Sequence, residues 1–502
     1  MTALIISFTL LIAGQAYASD PNGSVEYIGD IRILNLWGSW EEMGYAHGYL
    51  LGPDIKSVFE NYIIELAGGI STYNAARQLI QTYFDIPQEF QDYSAGLLTG
   101  AADTVNLYCE HLGRDMDQLD AYVVTCIPDV AALKGWNAPG CSSVSAWGAS
   151  TQDEPALAGS PAISRNLDFR IDSAATILDV GVLITYDPDD GQEFVAISFA
   201  GYLGCLSGMN SSGVSATLNM GNSQGTIQYT PNFVPICMAL ALGLSEPDFN
   251  GSGSFDLEDM KDALTNWNMS NSYAIHLVGD RNLAEGDSCA AVVELNNRYG
   301  SAFRYTWDEP SIASNSMILT NHHRVLIPPV TCQRYKALLD SLTLSSDVTL
   351  DRLWDFMKTV GYPAAPSGEG TLQAMIFMPE QLRMGVAFAT LSEPANEQDP
   401  QWIDWVDLFP NHPPEGIEEG TVPEVQFHIA PSPTRGIITV QFAGTASSLR
   451  VYDIQGRLMT SVFTQSGMNE YTADLSPLPA GIYRITGSIN DAIMSSQVVL
   501  LR

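Results

Sequence analysis

Apolar residues fall at helical spacing early in the chain and at strand spacing later. Ile55, Val58, Phe59, Tyr62, Ile63 and Leu66 recur so as to line one face of a helix. The segment up to Gly140 therefore reads as mostly helical. From Cys141 onward, strand-like runs dominate, at 177–186, 194–199, 214–218, 290–295 and 317–320. Helical stretches interrupt them near 235–244, 257–267 and 332–342. Strands and helices segregated in this way predict an α+β fold with two packed sheets and helices outside. Composition shifts near Glu393, and 393–424 is rich in Pro and acidic residues, which predicts a solvated linker. Beyond it, 437–442, 449–452 and 457–462 alternate like β-strands, with Asp453-Ile454-Gln455-Gly456 as a hairpin turn.

With 502 residues and 46% hydrophobic content the chain can bury a sizeable core in two or three domains. Its formal net charge of −35 argues against nucleic acid and against adhesion to anionic membranes, since both need basic patches. Leu4 to Ala13 form an apolar run, and Ala16-Tyr17-Ala18 resembles an A-x-A cleavage site, so 1–18 reads as a signal peptide. No Lys or Arg precedes that run, and no later stretch is long and apolar enough to span a bilayer. A secreted or cell-surface protein is expected. Seven cysteines (109, 126, 141, 205, 237, 289 and 332) make an odd count, which in an exported chain leaves a free or intermolecular thiol. None forms a CxxC and no His clusters with them, so a structural zinc site is not expected.

One cysteine stands in a distinctive context. Gly140-Cys141-Ser142-Ser143-Val144-Ser145-Ala146-Trp147-Gly148 places a small nucleophile at the start of a strand-like stretch, followed by Ser164-Arg165-Asn166-Leu167-Asp168-Phe169. Together these resemble the start of the catalytic chain in N-terminal-nucleophile amidohydrolases. The match is to the acyl-coenzyme A:6-aminopenicillanic acid acyltransferase family, with bile-salt and penicillin V hydrolases as cousins. The resemblance spans about residues 35–390 and implies a four-layer αββα sandwich. It also implies self-cleavage between Gly140 and Cys141, giving a chain 19–140 and a catalytic chain 141–392. Cys141 would then carry thiol and α-amine on one residue. A thiol titrates near ~8.5 and an α-amine near ~7.7–8.0, so the amine can serve as the thiol's base at neutral pH.

By the same resemblance, Arg165 lowers the thiol pKa and Asp168 orients the sulfur or the new α-ammonium. Their spacing puts them on opposite faces of a regular strand, so a bulge or strand end is needed for both to reach Cys141. Asn166 and Asp168 share a face without that condition. Gly208–Asn219 resembles the family hairpin that ends in an oxyanion-hole Asn, and Ile318-Leu319-Thr320-Asn321-His322 its second Asn element. Asn219 and Asn321 would then point amide donors at the oxyanion. Arg334 resembles the Arg of the following helix. The implied substrate is a small acylated molecule or peptide, and no cofactor is required.

Other motifs compete. His47, in Gly38-Ser39-Trp40-Glu41-Glu42-Met43-Gly44-Tyr45-Ala46-His47-Gly48, fits helix packing better than catalysis. Gly221-Asn222-Ser223-Gln224-Gly225 has the G-x-S-x-G form of a nucleophile elbow, but that motif should open a helix, and 226–231 is β-branched and Pro-bearing. Asp248, Asn250, Ser252, Ser254, Asp256 and Asp259 fall at the oxygen-ligand positions of an EF-hand loop with Gly253 and Gly251 among them. Ser252 replaces a carboxylate and Asp259 the long bidentate Glu, so any structural calcium would bind weakly. The bland reading is a turn with Asp256 capping the next helix. In the tail, Val451-Tyr452-Asp453-Ile454-Gln455-Gly456-Arg457 and Leu478-Pro479-Ala480-Gly481-Ile482-Tyr483-Arg484 resemble the C-terminal sorting domain of type IX secretion substrates. That makes 425–502 a β-sandwich sorting module, with the export machinery as its partner. Two further functional classes stay open: a phospholipase B-like or ceramidase-like lipid hydrolase on the same fold, and a catalytically dead cell-surface binding protein.

Overall fold

The computed structural model describes residues 21–134, 140–221, 228–253, 255–281, 288–312, 315–409, 428–430, 434–441, 446–453, 458–460, 463–467, 470–489 and 492–501. The signal-peptide segment, Ser223 of the elbow motif, Ser254 and the turn 454–457 lie outside the described residues. The chain divides into two compact units, Met1–Pro410 and Asn411–Arg502.

In chain order, the first unit opens with β1 (Gly23–Ile28) and β2 (Ile31–Gly38). Helices α1 (Trp40–Ser57), α2 (Ile64–Leu66), α3 (Ile70–Tyr83) and α4 (Gln88–Thr104) follow. A short ladder of β3 (Tyr108–Cys109) and β4 (Arg114–Asp115) leads to α5 (Gln118–Thr125) and α6 (Ile127–Lys134). Next come β5 (Cys141–Ala146), β6 (Ala162–Arg170), α7 (Thr176–Asp179), β7 (Gly181–Pro188) and β8 (Phe194–Phe199). They are followed by β9 (Ser207–Asn210), β10 (Val214–Met220), α8 (Ile236–Ser245) and α9 (Leu257–Thr265). Then come β11 (Ser272–Gly279), β12 (Ala290–Asn296), β13 (Gly300–Arg304) and β14 (Ser316–Leu319). Helices α10 (Gln333–Leu344) and α11 (Leu350–Val360) precede β15 (Glu369–Met378), β16 (Arg383–Phe388) and β17 (Gln401–Asp404).

These strands form a nine-stranded sheet, β1-β2-β7-β8-β9-β10-β11-β12-β13, and a six-stranded sheet, β14-β5-β6-β15-β16-β17. The period of two along a strand decides which layer each side chain meets. In β8, Val195 and Ile197 join a cluster with Ile163, Leu319, Met375 and Phe377 of the other sheet, so these faces meet. The alternate residues Phe194 and Ala196 pack instead with Met43 and Ile55 of α1, Leu97 of α4 and Leu240 of α8. On the far side, Ile318, Ala374 and Ile376 pack with Leu338 of α10 and with Leu353 and Phe356 of α11. Strands buried on both faces read as near-continuous apolar runs.

Three expectations change. The segment before Gly140 is not only helical: β1 and β2 join the large sheet, where β2 pairs in parallel with β7. The run 177–186 begins with the turn of α7 rather than as strand. The solvated linker does not begin at 393, because β17 pairs with β16 and Ile403, Trp405 and Leu408 are buried against Val386 and Met384. The acidic, Pro-bearing composition around them masks these three anchors. In the second unit the strands are β18 (His428–Ala430), β19 (Ile437–Gln441), β20 (Ala446–Asp453), β21 (Leu458–Thr460), β22 (Thr464–Gly467), β23 (Glu470–Asp474), β24 (Gly481–Ile489) and β25 (Ala492–Leu500). They form two four-stranded sheets, β18-β19-β23-β22 and β21-β20-β24-β25, which contribute Ile438, Val440, Val451 and Ile485 to one core.

Candidate active site

Cys141 is the first residue of β5 and is buried. Antiparallel pairing sets Cys141 opposite Leu167 and Ser143 opposite Arg165, so Cys141 and Arg165 share a face. The Arg165 guanidinium is fully buried there and donates to Cys141 Sγ across 3.6 Å. It also donates to Ser207 Oγ and to the Leu218 carbonyl, both neutral oxygens. Asn166 points the other way, towards the Met357 carbonyl of α11, 2.8 Å away.

Asp168 and Arg165 do lie on opposite faces, and the strand end is what brings both to Cys141. The one irregularity is in the neighbouring strand, where β15 shifts register between Thr371 and Gln373. Thr371 donates its hydroxyl to Asp168 Oδ1 at 2.6 Å, and Asp168 Oδ2 stands 3.8 Å from Arg334 Nη1. Burial pushes Asp168 up to about 7, against the pull of Thr371, Arg334 and Arg165. Burial also raises the Cys141 thiol, while Arg165 and Arg334 draw it down and Asp168 raises it.

Arg334, in the first turn of α10, reaches back over the strand start. Its Nη1 donates to the Cys141 carbonyl at 2.7 Å and to Ser142 Oγ at 2.8 Å, and its Nη2 to Asn321 Oδ1 at 2.7 Å. Asn321 Oδ1 also accepts the Cys141 backbone N–H at 2.8 Å. The amide donors expected at an oxyanion are turned elsewhere. Asn321 Nδ2 donates to the Met220 carbonyl at 2.9 Å, and Asn219 Nδ2 to the Thr320 carbonyl at 3.2 Å. Cys141, Arg165, Asp168, Asn321 and Arg334 thus meet around one strand end, with Asn219 tied to the residue before Asn321.

A second polar layer holds these groups. Buried Glu294 of β12 accepts the backbone N–H groups of Arg324, Val325 and Leu326 at 2.8, 3.0 and 2.8 Å. Arg304 bridges Glu294 to Glu309, which also binds Arg324 and takes the Tyr335 hydroxyl. Two carboxylates and two guanidiniums balance in charge, and they pin both the loop after Asn321 and the start of α10. Sequence reading missed this network and Thr371, because the partners lie far apart in the chain and follow no motif.

The remaining candidates sit elsewhere. His47 is buried in α1, where Nε2 accepts the Gly201 N–H at 3.0 Å and the ring bonds the Tyr93 hydroxyl at 2.7 Å; this is helix packing. The next described helix after Gly221 is α8, fifteen residues on at Ile236. In the acidic loop, Asp256 accepts the Glu258 N–H and Asp259 the Asp256 N–H, a capping box for α9. Asp248 accepts the Gly253 N–H at 2.8 Å and Asn250 that of Ser252 at 2.8 Å. Among the described residues, no three His, Cys, Asp or Glu side chains gather as a metal site. All seven cysteines are free.

Residues 428–500 match the family described as secretion system C-terminal sorting domain. The protein is accordingly secreted or held at the cell surface. No helix among the described residues is long and apolar enough to cross a membrane. An uncharacterized protein of Archaeoglobus fulgidus is 25% identical over 247 residues, 44% of this chain and 39% of the relative. Protein dcd1B of Dictyostelium discoideum is 28% identical over 206 residues, 38% of this chain and 39% of the relative. The match therefore spans about two fifths of the length of these curated relatives. Among solved structures, a Caenorhabditis elegans ortholog of N-acylethanolamine-hydrolyzing acid amidase is 14% identical with a TM-score of 0.35, over 48% of this chain and 93% of its own. Penicillin V acylase from Agrobacterium tumefaciens is 13% identical with a TM-score of 0.34, over 53% and 86%. A variant of conjugated bile acid hydrolase from Clostridium perfringens is 11% identical with a TM-score of 0.33, over 49% and 89%. Likeness at that level carries no chemistry across to this chain.

Proposed function

We propose that this secreted chain is a self-processing cysteine amidohydrolase or acyltransferase that acts on the amide bond of an acylated small molecule or peptide. The observation that carries the reading is the buried Arg165 guanidinium, whose hydrogen-bond partners are two neutral oxygens and Cys141 Sγ. A buried cation is costly without a counter-charge, and a Cys141 thiolate would supply one. The two facing sheets with helices outside each are read as the four-layer αββα sandwich on which such a nucleophile sits, and the tail as a β-sandwich.

Self-cleavage begins with the Cys141 thiol attacking the Gly140 carbonyl. The S–C bond forms, the C–N bond breaks, and the thiol proton passes to the Cys141 nitrogen. Water then hydrolyses the thioester, breaking the S–C bond to give the Gly140 carboxylate and to return the Cys141 thiol beside the α-amine freed in the first step. In the mature enzyme the α-amine takes the thiol proton and returns it to the leaving amine. Asn321 and Asn219 turn their amide donors to the oxyanion once the Cys141 N–H is replaced by a mobile amine. Arg165 stabilises the thiolate, and the Asp168 carboxylate orients the new α-ammonium. A lipid-directed hydrolase of the phospholipase B-like or ceramidase-like kind would use the same groups.

Intact-mass measurement of the purified protein tests this reading. Wild type should separate into two chains on denaturation, with the second beginning at Cys141, whereas Cys141→Ala should stay whole. A wild type that remains one chain sinks the mechanism. A cut protein without thiol-dependent hydrolysis of any amide or ester would favour the binding-protein alternative.

A further inference from the structure

We propose that Thr371 is a positioning residue of the candidate site, fixing the Asp168 carboxylate through Oδ1 so that Oδ2 is turned towards Arg334. The inference rests on the Cys141 reading above. Thr371 lies directly opposite Asp168 in the β6–β15 ladder, and the register shift that follows it inserts Leu372 before Gln373 meets Leu167. The shift sets Thr371 on the Asp168 side while Leu372 joins the apolar core. Both polar groups of Thr371 are fixed by the loop before β15. Its Oγ1 accepts the Tyr362 N–H at 2.8 Å, and its own N–H donates to the Tyr362 carbonyl at 3.2 Å.

A threonine hydroxyl has a single proton to give. With Tyr362 N–H arriving at the oxygen, that proton goes to Asp168 Oδ1, 2.6 Å away. The residue is fully buried, so water does not compete for it. Asp168 Oδ2 makes no hydrogen bond among the described residues, and Arg334 Nη1 lies 3.8 Å from it. The charged groups that bear on Asp168 are Arg334 from α10, Arg165 on its own strand, Glu369 on β15 and Cys141 on β5. A hydrogen bond given to a carboxylate favours its charged form and opposes the effect of burial. Thr371 is the largest of the influences that hold Asp168 down, ahead of Arg334 and Arg165.

The test compares wild type, Thr371→Val and Thr371→Ser in the full chain. Valine keeps the β-branched shape and loses the hydroxyl; serine keeps the hydroxyl. Self-cleavage rate is followed against pH by denaturing gel, and melting temperature is followed over the same range. The valine variant should carry its acid limb to higher pH by on the order of one unit, with a rate about tenfold lower below that limb. Serine should restore the wild-type profile. Relative to wild type, valine should also lose melting temperature as pH rises through about 7, where Asp168 ionises in the folded state. A valine profile lowered equally at every pH, or a pH-independent melting difference, overturns the proposal. If wild type does not cleave, the Cys141 reading fails, and the melting comparison still decides the role of Thr371.

Discussion

The Arg334 guanidinium lies against the α-carbon of Gly140. A Cβ built on Gly140 would stand 2.6 Å from Nη2, 2.7 Å from Cζ and 2.8 Å from Nη1. The residue ahead of Cys141 is therefore small because an arginine occupies the space a side chain would need.

Gly140→Val should push Arg334 off the Cys141 carbonyl and Asn321. Removal of a positioned charge from a reacting centre costs on the order of 10²-fold in rate. Self-cleavage followed by denaturing gel should slow by that order, with melting little changed. Gly140→Val cleaving at the wild-type rate would show that Arg334 has no part in processing.

The buried network around Glu294 makes a stability prediction. Glu294→Gln removes the charge that faces Arg304 and leaves one carbonyl oxygen for three backbone amides. Breaking a buried pair by removing one partner costs about 3–5 kcal/mol. Denaturant midpoints should fall accordingly. A loss within ~0.5 kcal/mol, the range of ordinary surface changes, would refute the role of the network.

Acid sensitivity follows from His47. Burial lowers its pKa to about 3 in the fold, against 6.5 for an unperturbed His. Below 6.5 the unfolded chain takes up the proton first, so this contribution is complete above that pH and declines as pH falls towards 3. His276, also lowered to about 3 and held between Ser143 and Ser145, acts in the same sense. Asp129 and Asp168, both raised to about 7 by burial, act oppositely and gain stability on acidification between about 7 and 4. His47→Gln can keep both hydrogen bonds and lose the titration. Relative to wild type it should gain about 1.4 kcal/mol per pH unit as pH drops below 6.5. Parallel stability curves would rule this out.

Much of the site could be read in the sequence because it clusters on one strand end. Cys141, Arg165 and Asp168 sit within a short span, and alternation sets Arg165 and Asp168 on opposite faces. It is the β5–β6 register that puts Arg165 on the face of Cys141. Asn321 and Arg334 came only through resemblance, since nothing local says that a loop after β14 returns to β5. Thr371 and Glu294 were illegible, for they act through register and burial that arise when distant strands pair. Strand β2 is hard to read because Ile31, Ile33, Leu34 and Leu36 are buried on both faces and lack alternation, and β1 joins the sheet only by pairing with it. Acidic neighbours mask Ile403, Trp405 and Leu408, so composition alone sets the start of the linker ahead of β17.

The acidic loop before α9 offers a check on calcium. Its Asp256 and Asp259 already serve as a helix cap, so melting curves with added calcium and with chelator should coincide. Asp256→Ala should cost about 1 kcal/mol under both conditions. A calcium-dependent rise in melting temperature that Asp248→Ala abolishes would return the loop to the ion.

The first unit should not depend on the tail. Deleting Asn411–Arg502 removes one compact unit whole. The truncated protein should melt as the first unit does in the full chain, and should cleave itself at the same rate. Its amount in the medium should drop sharply without the sorting domain. Undiminished release, or misfolding of the remainder, would contradict this division.

Strand β2 has β1 on one side and β7 on the other, and only β7 comes after Cys141 in the chain. Scission before Cys141 would consequently produce two polypeptides that share a single sheet and could not part without dissolving it. The peptide link would be needed once, to assemble the sheet. Afterwards the pair would travel as one particle through any native separation, and its composite nature would surface only under denaturant. Re-forming it from separated halves would demand a bimolecular search that the newborn chain never has to make.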